Sequence, residues 1–178
     1  MAAFPVTELR SEEAALVRAA QGGDRAAFGA LYEQYARMVH GILLAHVAYG
    51  DAEDLVQDVF VRALEQLHSL REPRAFGGWL ASVARRSAAD SYRKRKPVGD
   101  LQDRAGAARP DEEAFEVLDA IQALPAAYRE TLILRLLEGM TGPEIAARTG
   151  LTPESVRVNL CRGMKQLRRA LRGTLDDE

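Results

Sequence analysis

Between Pro153 and Arg172, side chains that can recognise nucleic acid recur at helical spacing. Ser155, Val158, Arg162, Lys165, Arg169 and Arg172 fall on one face, with Asn159 at its flank and Arg157 as a further cation beside it. Residues 155–172 carry six basic side chains and no acid. Arginine pairs with guanine, asparagine with adenine, and a valine methyl meets the thymine methyl. Lys165 and Arg169, further along the helix, suit phosphate. The opposite face, Val156, Leu160, Gly163, Leu167 and Leu171, is expected to pack on the preceding helix. A basic helix face alone is an ordinary solvated surface; what precedes this one favours DNA. Thr141-Gly-Pro-Glu144 is a capping box, and Gly150 suits the left-handed turn that ends a helix. Thr152 caps a new helix with Pro153 at its first position. Two helices joined by Gly150-Leu151-Thr152 read as a helix-turn-helix, whose second helix sends Ser155, Val158, Asn159 and Arg162 toward base edges.

A second basic island lies upstream. Residues 71–97 hold eight basic and two acidic side chains, among them Arg85, Arg86, Arg93, Lys94, Arg95 and Lys96, with Tyr92 between them. Cations that follow a phosphate backbone, beside aromatic faces that stack bases, suit single-stranded or opening DNA. The helical period predicts that Phe76, Trp79, Leu80, Val83 and Ser87 are buried and that Ser82, Arg85, Ala89, Tyr92, Arg93 and Lys96 point outward. Trp79 reads as core before it reads as a stacking platform.

Residues 1–70 are acidic, with ten carboxylates against five cations. Within them Leu55, Val56, Val59, Phe60, Ala63, Leu64 and Leu67 form a stripe expected to be buried, while Asp54, Asp58, Glu65 and Val61 occupy the other face. That face repels DNA. It is either merely solvated or, given an exposed valine amid carboxylates, a seat for a basic protein partner.

Enzyme chemistry has little support. His40, His46 and His68 lack metal-ligand spacing and read as surface or packing residues; no glycine-rich phosphate loop occurs, and Gly22-Gly23 is a turn. The one cysteine, Cys161, excludes an internal disulfide and reads as a small packing thiol. No catalytic residue, metal or cofactor is expected. The N-terminus lacks a signal-peptide pattern and no run nears the ~20 apolar residues of a membrane span, so a cytoplasmic location without membrane insertion is expected.

To position these faces, the 178 residues, 47% apolar and rich in Ala, Leu, Arg and Glu, favour an all-α fold. Helices are expected after Ser11 and near 24–48, 51–69 (capped by Asp51) and 75–95, then near 111–123, 126–139, 142–149 and 153–172. The Pro- and Gly-bearing stretch KPVGDLQDRAGAARPD, with no apolar period, reads as a flexible linker. It gives two small helical domains, 1–96 and 113–178, joined by 97–112.

AQGGDRAAFGALYEQY, EDLVQDVFVRAL and FGGWLASVARRSAADSYRKRK resemble domain two of sigma-70 family transcription factors. LPAAYRETLILRLLEGMTGPEIAARTGLTPESVRVNLCRGMKQLRRAL resembles their domain four, and the order and linker resemble the extracytoplasmic-function group. The resemblance implies a non-enzymatic initiation factor whose partners are core RNA polymerase, promoter DNA and an anti-sigma protein, with no small-molecule substrate. It assigns polymerase docking to Asp54, Gln57, Asp58 and Val61. It assigns the minus-ten element to Arg71, Arg74, Phe76, Arg85, Arg86, Tyr92 and Arg93. It assigns the minus-thirty-five element to Ser155, Arg157, Val158, Asn159, Arg162, Lys165 and Arg169. The chain departs from the family pattern at Asn159, Cys161 and Met164, where members often have Arg, His and Arg, and at Arg86, where several have Asn. The alternative is a sigma-like decoy that sequesters an anti-sigma protein; it predicts eroded basic surfaces and a receiver domain, neither of which this sequence has.

Overall fold

The computed structural model describes residues 6–94 and 112–175. They form eight α-helices and no strand: α1 (Val6–Gln21), α2 (Arg25–Leu44), α3 (Tyr49–Gln66), α4 (Phe76–Lys94), α5 (Glu112–Gln122), α6 (Ala126–Leu136), α7 (Gly142–Thr149) and α8 (Pro153–Leu175). Two short 3-10 turns, Leu67–Ser69 and Pro73–Ala75, join α3 to α4. The expected linker falls almost wholly on residues 95–111, outside the described residues, as do Arg95 and Lys96.

Local chemistry explains several helix ends. Asp24 caps α2, its carboxylate accepting from the backbone N–H groups of Ala26 (2.8 Å) and Ala27 (3.1 Å). The Thr141/Glu144 capping box forms as expected. Gly150 takes φ +76°, a left-handed conformation that a side chain would strain. Thr152 accepts from the Ser155 N–H at 3.1 Å and so caps α8.

Three expectations fail here. The first helix begins at Val6 and runs 16 residues, longer than the short helix expected after Ser11. Asp51 does not cap α3: the helix starts at Tyr49 behind Ala48, which makes no side-chain cap bond, and Asp51 sits in the first turn, where its charge favours the helix dipole. Leu64 is 53% exposed, because the buried stripe passes through Val59, Phe60, Ala63 and Leu67 beside it.

Helices α1 to α4 pack around Leu31, Met38, Ile42, Val59, Phe76 and Leu80. Helices α5 to α8 pack around Ile121, Leu132, Ile133, Ile145 and Val156. Helix α8 lies mainly on α6 and only secondarily on the preceding α7. Gly163 permits the approach, since a β-carbon there would stand 3.0–3.1 Å from Leu132 and Tyr128.

The two groups do not stand apart. Helix α2 lies against α6 and α7, and α4 lies against α7, so one continuous apolar core runs through both. Leu134, fully buried, fills the space left by Gly41 of α2, where a β-carbon would meet its Cδ2 at 2.7 Å. Burying a leucine stabilises such a seam by about 1.5–3 kcal/mol. At the other end, a β-carbon on Gly77 would stand 2.3 Å from the Arg148 carbonyl oxygen, and one on Gly150 would stand 3.1 Å from the Gly78 Cα. Glycines thus let α4 touch the helix-turn-helix at backbone distance.

Candidate nucleic-acid interface

The α7–turn–α8 unit orients the first surface. With Val156, Gly163 and Leu167 buried, the helical period leaves Arg157, Arg162, Lys165 and Arg169 exposed. Arg157 lies 3.9 Å from Glu154, one turn back and equally exposed, a contact of little energetic weight. Val158 and Asn159 are half-buried at the edge of this face. Ser155 is half-buried too, and its Oγ accepts from the Thr152 hydroxyl at 2.8 Å, so it reinforces the cap. Cys161 is exposed rather than packed, since it falls outside the buried row of Val156, Gly163 and Leu167.

The second surface lies on α4 and the turns before it. Arg71, Arg74, Arg86 and Arg93 are exposed, and Tyr92 is 80% exposed. Arg93 pairs with Asp90, which also receives Arg62 of α3 at 3.1 Å; the hydrogen bonds from Arg93 and then Arg62 hold the Asp90 carboxyl below its ordinary range. Phe76 is fully buried, its ring 5.1 Å from that of Tyr35 and 5.8 Å from Trp79. It organises the start of α4 and cannot stack a base in this conformation. Trp79 is half-buried on the same cluster.

Arg85 departs furthest from expectation. Its guanidinium grips the Glu130 carboxylate of α6 with two donors, Nε to Oε1 at 2.9 Å and Nη2 to Oε2 at 2.8 Å. His46 meets the same Oε1 at 2.8 Å. Burial is the largest single influence on Glu130 and opposes its charge, but the bonds and charges of His46 and Arg85 together outweigh it, and its pKa is lowered. The bond to Glu130 likewise raises Arg85. His40 Nδ1 meets Glu138 Oε1 at 2.7 Å, with Arg37 3.6 Å from the other oxygen. Both histidines therefore have specific carboxylate partners that a reading as surface or packing residues does not supply. Glu130 and Glu138 stand four residues to either side of buried Leu134, Glu138 just past the end of α6. That spacing is the one sequence signal that could have revealed them.

The third surface is acidic. Asp54, Gln57, Asp58 and Val61 of α3 are all exposed, Val61 at 57%. Leu64 extends the apolar strip, and Tyr32, 39% exposed, packs its ring 4.5 Å from that of Phe60 nearby. The strip is one turn wide and rimmed by carboxylates, which suits a helical partner with basic side chains.

Among the described residues no cluster of potential ligands could hold a metal ion, and no helix is long and apolar enough to cross a membrane. An open cleft of about 520 Å³ lies between Val47, Tyr92, Asp119 and Arg129.

Comparison with known proteins gives these surfaces a family. The descriptions "Sigma-70 region 2" and "Sigma-70, region 4" match residues 31–98 and 114–167. The RNA polymerase sigma factor CarQ of Myxococcus xanthus is 31% identical over 159 residues, covering 84% of this chain and 91% of its own. The sigma factor CnrH of Cupriavidus metallidurans is 30% identical over 186 residues, covering 89% and 95%. The extracytoplasmic-function sigma factor BldN of Streptomyces coelicolor is 31% identical, and the chain spans 64% of its length. The solved structure of CnrH in complex with the cytosolic domain of CnrY aligns with a TM-score of 0.64 at 26% identity, covering 90% of this chain and 97% of CnrH. On these grounds the chain belongs to the sigma-70 family of RNA polymerase sigma factors, in its extracytoplasmic-function group.

Proposed function

We propose that the chain directs core RNA polymerase to specific promoters through three separate surfaces. Asp54, Gln57, Asp58 and Val61 of α3 dock on a basic face of the polymerase. Arg162, Val158 and Asn159 of α8 read base edges of the minus-thirty-five element in the major groove, with Ser155 at the start of the helix, while Arg157, Lys165 and Arg169 hold phosphate. Arg71, Arg74, Arg86 and Arg93 follow the backbone of the opened minus-ten strand and Tyr92 stacks a base. Arg85 joins them once freed from Glu130. Residues 1–96, 97–112 and 113–178 are domain two, the linker and domain four.

The action is positional, not catalytic. Neither cationic surface alone binds tightly at physiological salt. Held by polymerase at a fixed separation, engagement of one raises the effective concentration of the other at its element. Binding energy for the unpaired strand then offsets the lost base pairing. The chain acts where polymerase acts, in the cytoplasm, and an anti-sigma protein holds it inactive.

The observation that carries this reading is the sign and exposure of the three faces: two cationic, one acidic with an apolar strip, each on a different helix. A decoy would need neither cationic face. Footprinting tests it. The chain with core polymerase should protect two promoter patches about 25 base pairs apart, and the chain alone should protect neither.

A further inference from the structure

Asp90 is out of place on a surface that binds a phosphate backbone. Between residues 76 and 97 six basic side chains stand with one acid. That acid lies on α4 one turn after Arg86 and one turn before Arg93, both exposed. A bare carboxylate there repels DNA. Asp90 is not bare: it bridges two arginines from two helices. Its Oδ2 accepts from Nη1 of Arg62 on α3 at 3.1 Å, and its Oδ1 accepts from Nη2 of Arg93.

The two arginines are not equivalent. The Arg62 side chain, 35% exposed, is as sheltered as the carboxylate at 34%, whereas that of Arg93 is 77% exposed. Each takes a different oxygen, so Arg93 can leave without disturbing the bond from Arg62. An exposed pair on neighbouring turns of one helix is weak, and exchanging its carboxylate for a phosphate oxygen costs little. What opposes the exchange is the carboxylate left behind beside the strand. Arg62 removes that obstacle, because it stays on Asp90 and neutralises it.

We propose that Asp90 and Arg62 are positioning residues for the minus-ten strand: Asp90 orders Arg93 while no strand is bound, and Arg62, which need not touch DNA, keeps Asp90 neutralised when Arg93 transfers to a phosphate. This rests on the assignment of Arg93 to that strand.

The test titrates holoenzyme, assembled from the full chain and core polymerase, against a dye-labelled single strand at several salt concentrations. The strand carries the minus-ten element of a promoter from which the holoenzyme starts transcripts. Variants are compared at equal occupancy of polymerase, so that lost folding or docking is not read as lost strand binding. Arg62→Gln leaves Asp90 with Arg93 alone, and binding should weaken about fivefold, the size of one charge–charge contact at ~4 Å in water. The slope of log affinity against log salt should fall with it by about 0.7, one phosphate on a single strand. Arg62→Lys, which keeps the charge, should bind nearly as wild type does. Asp90→Asn should bind no more weakly than wild type. Adding Arg62→Gln to Asp90→Asn should then cost less than about twofold, the ordinary scatter of independent sites, and leave the slope unchanged. A loss from Arg62→Gln that is equal with and without Asp90 overturns the proposal, since Arg62 would then act on the strand directly or through the fold. No loss at all overturns it too. Arg93→Gln separates this idea from the reading beneath it. If Arg93→Gln weakens strand binding and Arg62→Gln does not, the positioning role fails and the minus-ten assignment stands. If neither has an effect, both fail.

Discussion

Arg162→Ala tests the orientation of α8 most sharply. Arg162 is exposed one turn past Val158, and among the described residues it makes no ion pair within the chain. Its removal therefore breaks no internal ion pair, and the loss in affinity is read on DNA. A bidentate arginine–guanine contact contributes about 1–3 kcal/mol of discrimination, which is about 5- to 150-fold in affinity at ~1.4 kcal/mol per decade. Lys165, one further step along the helix, is the built-in control. As a phosphate contact, its loss should weaken all promoters alike and lower the slope of log affinity against log salt by about 0.9. The assay is fluorescence anisotropy of the holoenzyme with duplexes varied base by base across the minus-thirty-five element, at several salt concentrations. Arg162→Ala should flatten the preference at one position, whereas Lys165→Ala should not. If Arg162→Ala weakens every duplex equally with the slope change expected of a phosphate contact, Arg162 does not read a base. If neither substitution has an effect, α8 presents a different face to DNA.

Other perturbations test other links. Asp58→Arg reverses a charge at the centre of the acidic face and should abolish co-purification with core polymerase while leaving thermal unfolding unchanged; retained binding would put the docking face elsewhere. Gly150→Ala meets both a left-handed φ and the Gly78 backbone, so it should destabilise the chain by more than the ~1–2 kcal/mol of the backbone term alone, read as a lowered urea midpoint. Glu130 has a folded pKa below its unfolded value near 4.3, so it binds fewer protons folded than unfolded. Its stabilisation is present in full above that value and is lost as pH falls through the lowered folded one. Below about 4.3 the urea midpoint of the wild type should fall more steeply than that of Glu130→Gln, and parallel curves would show that the carboxylate is not held by Arg85 and His46.

What the sequence disclosed and what it withheld divide by range. The capping box at Thr141, the left-handed Gly150 and the Thr152 cap were legible because each is settled within four residues. The exposed cations of α8 were legible because its apolar row is regular. Asp51 misled because a good capping residue two positions inside a helix start looks the same in sequence as one at its start. Leu64 misled because it borders the buried row and only the neighbouring helices decide on which side it falls. Arg85 was rightly read as a surface cation of α4, but its partner Glu130 lies 45 residues away on α6, and charge alone does not say whether an arginine meets a phosphate or a carboxylate. The pairing of His40 and His46 with acids 98 and 84 residues distant is likewise a product of the seam. The seam depends on glycines at 41, 77, 78 and 150, whose common purpose appears only in three dimensions.

The account stands most directly on start-site selection. Core polymerase lacking a specificity subunit, given this purified chain and a library of genomic promoter fragments, should start transcripts from a small set of sites that share two sequence elements about 25 base pairs apart. Starts scattered as they are without the chain would contradict it.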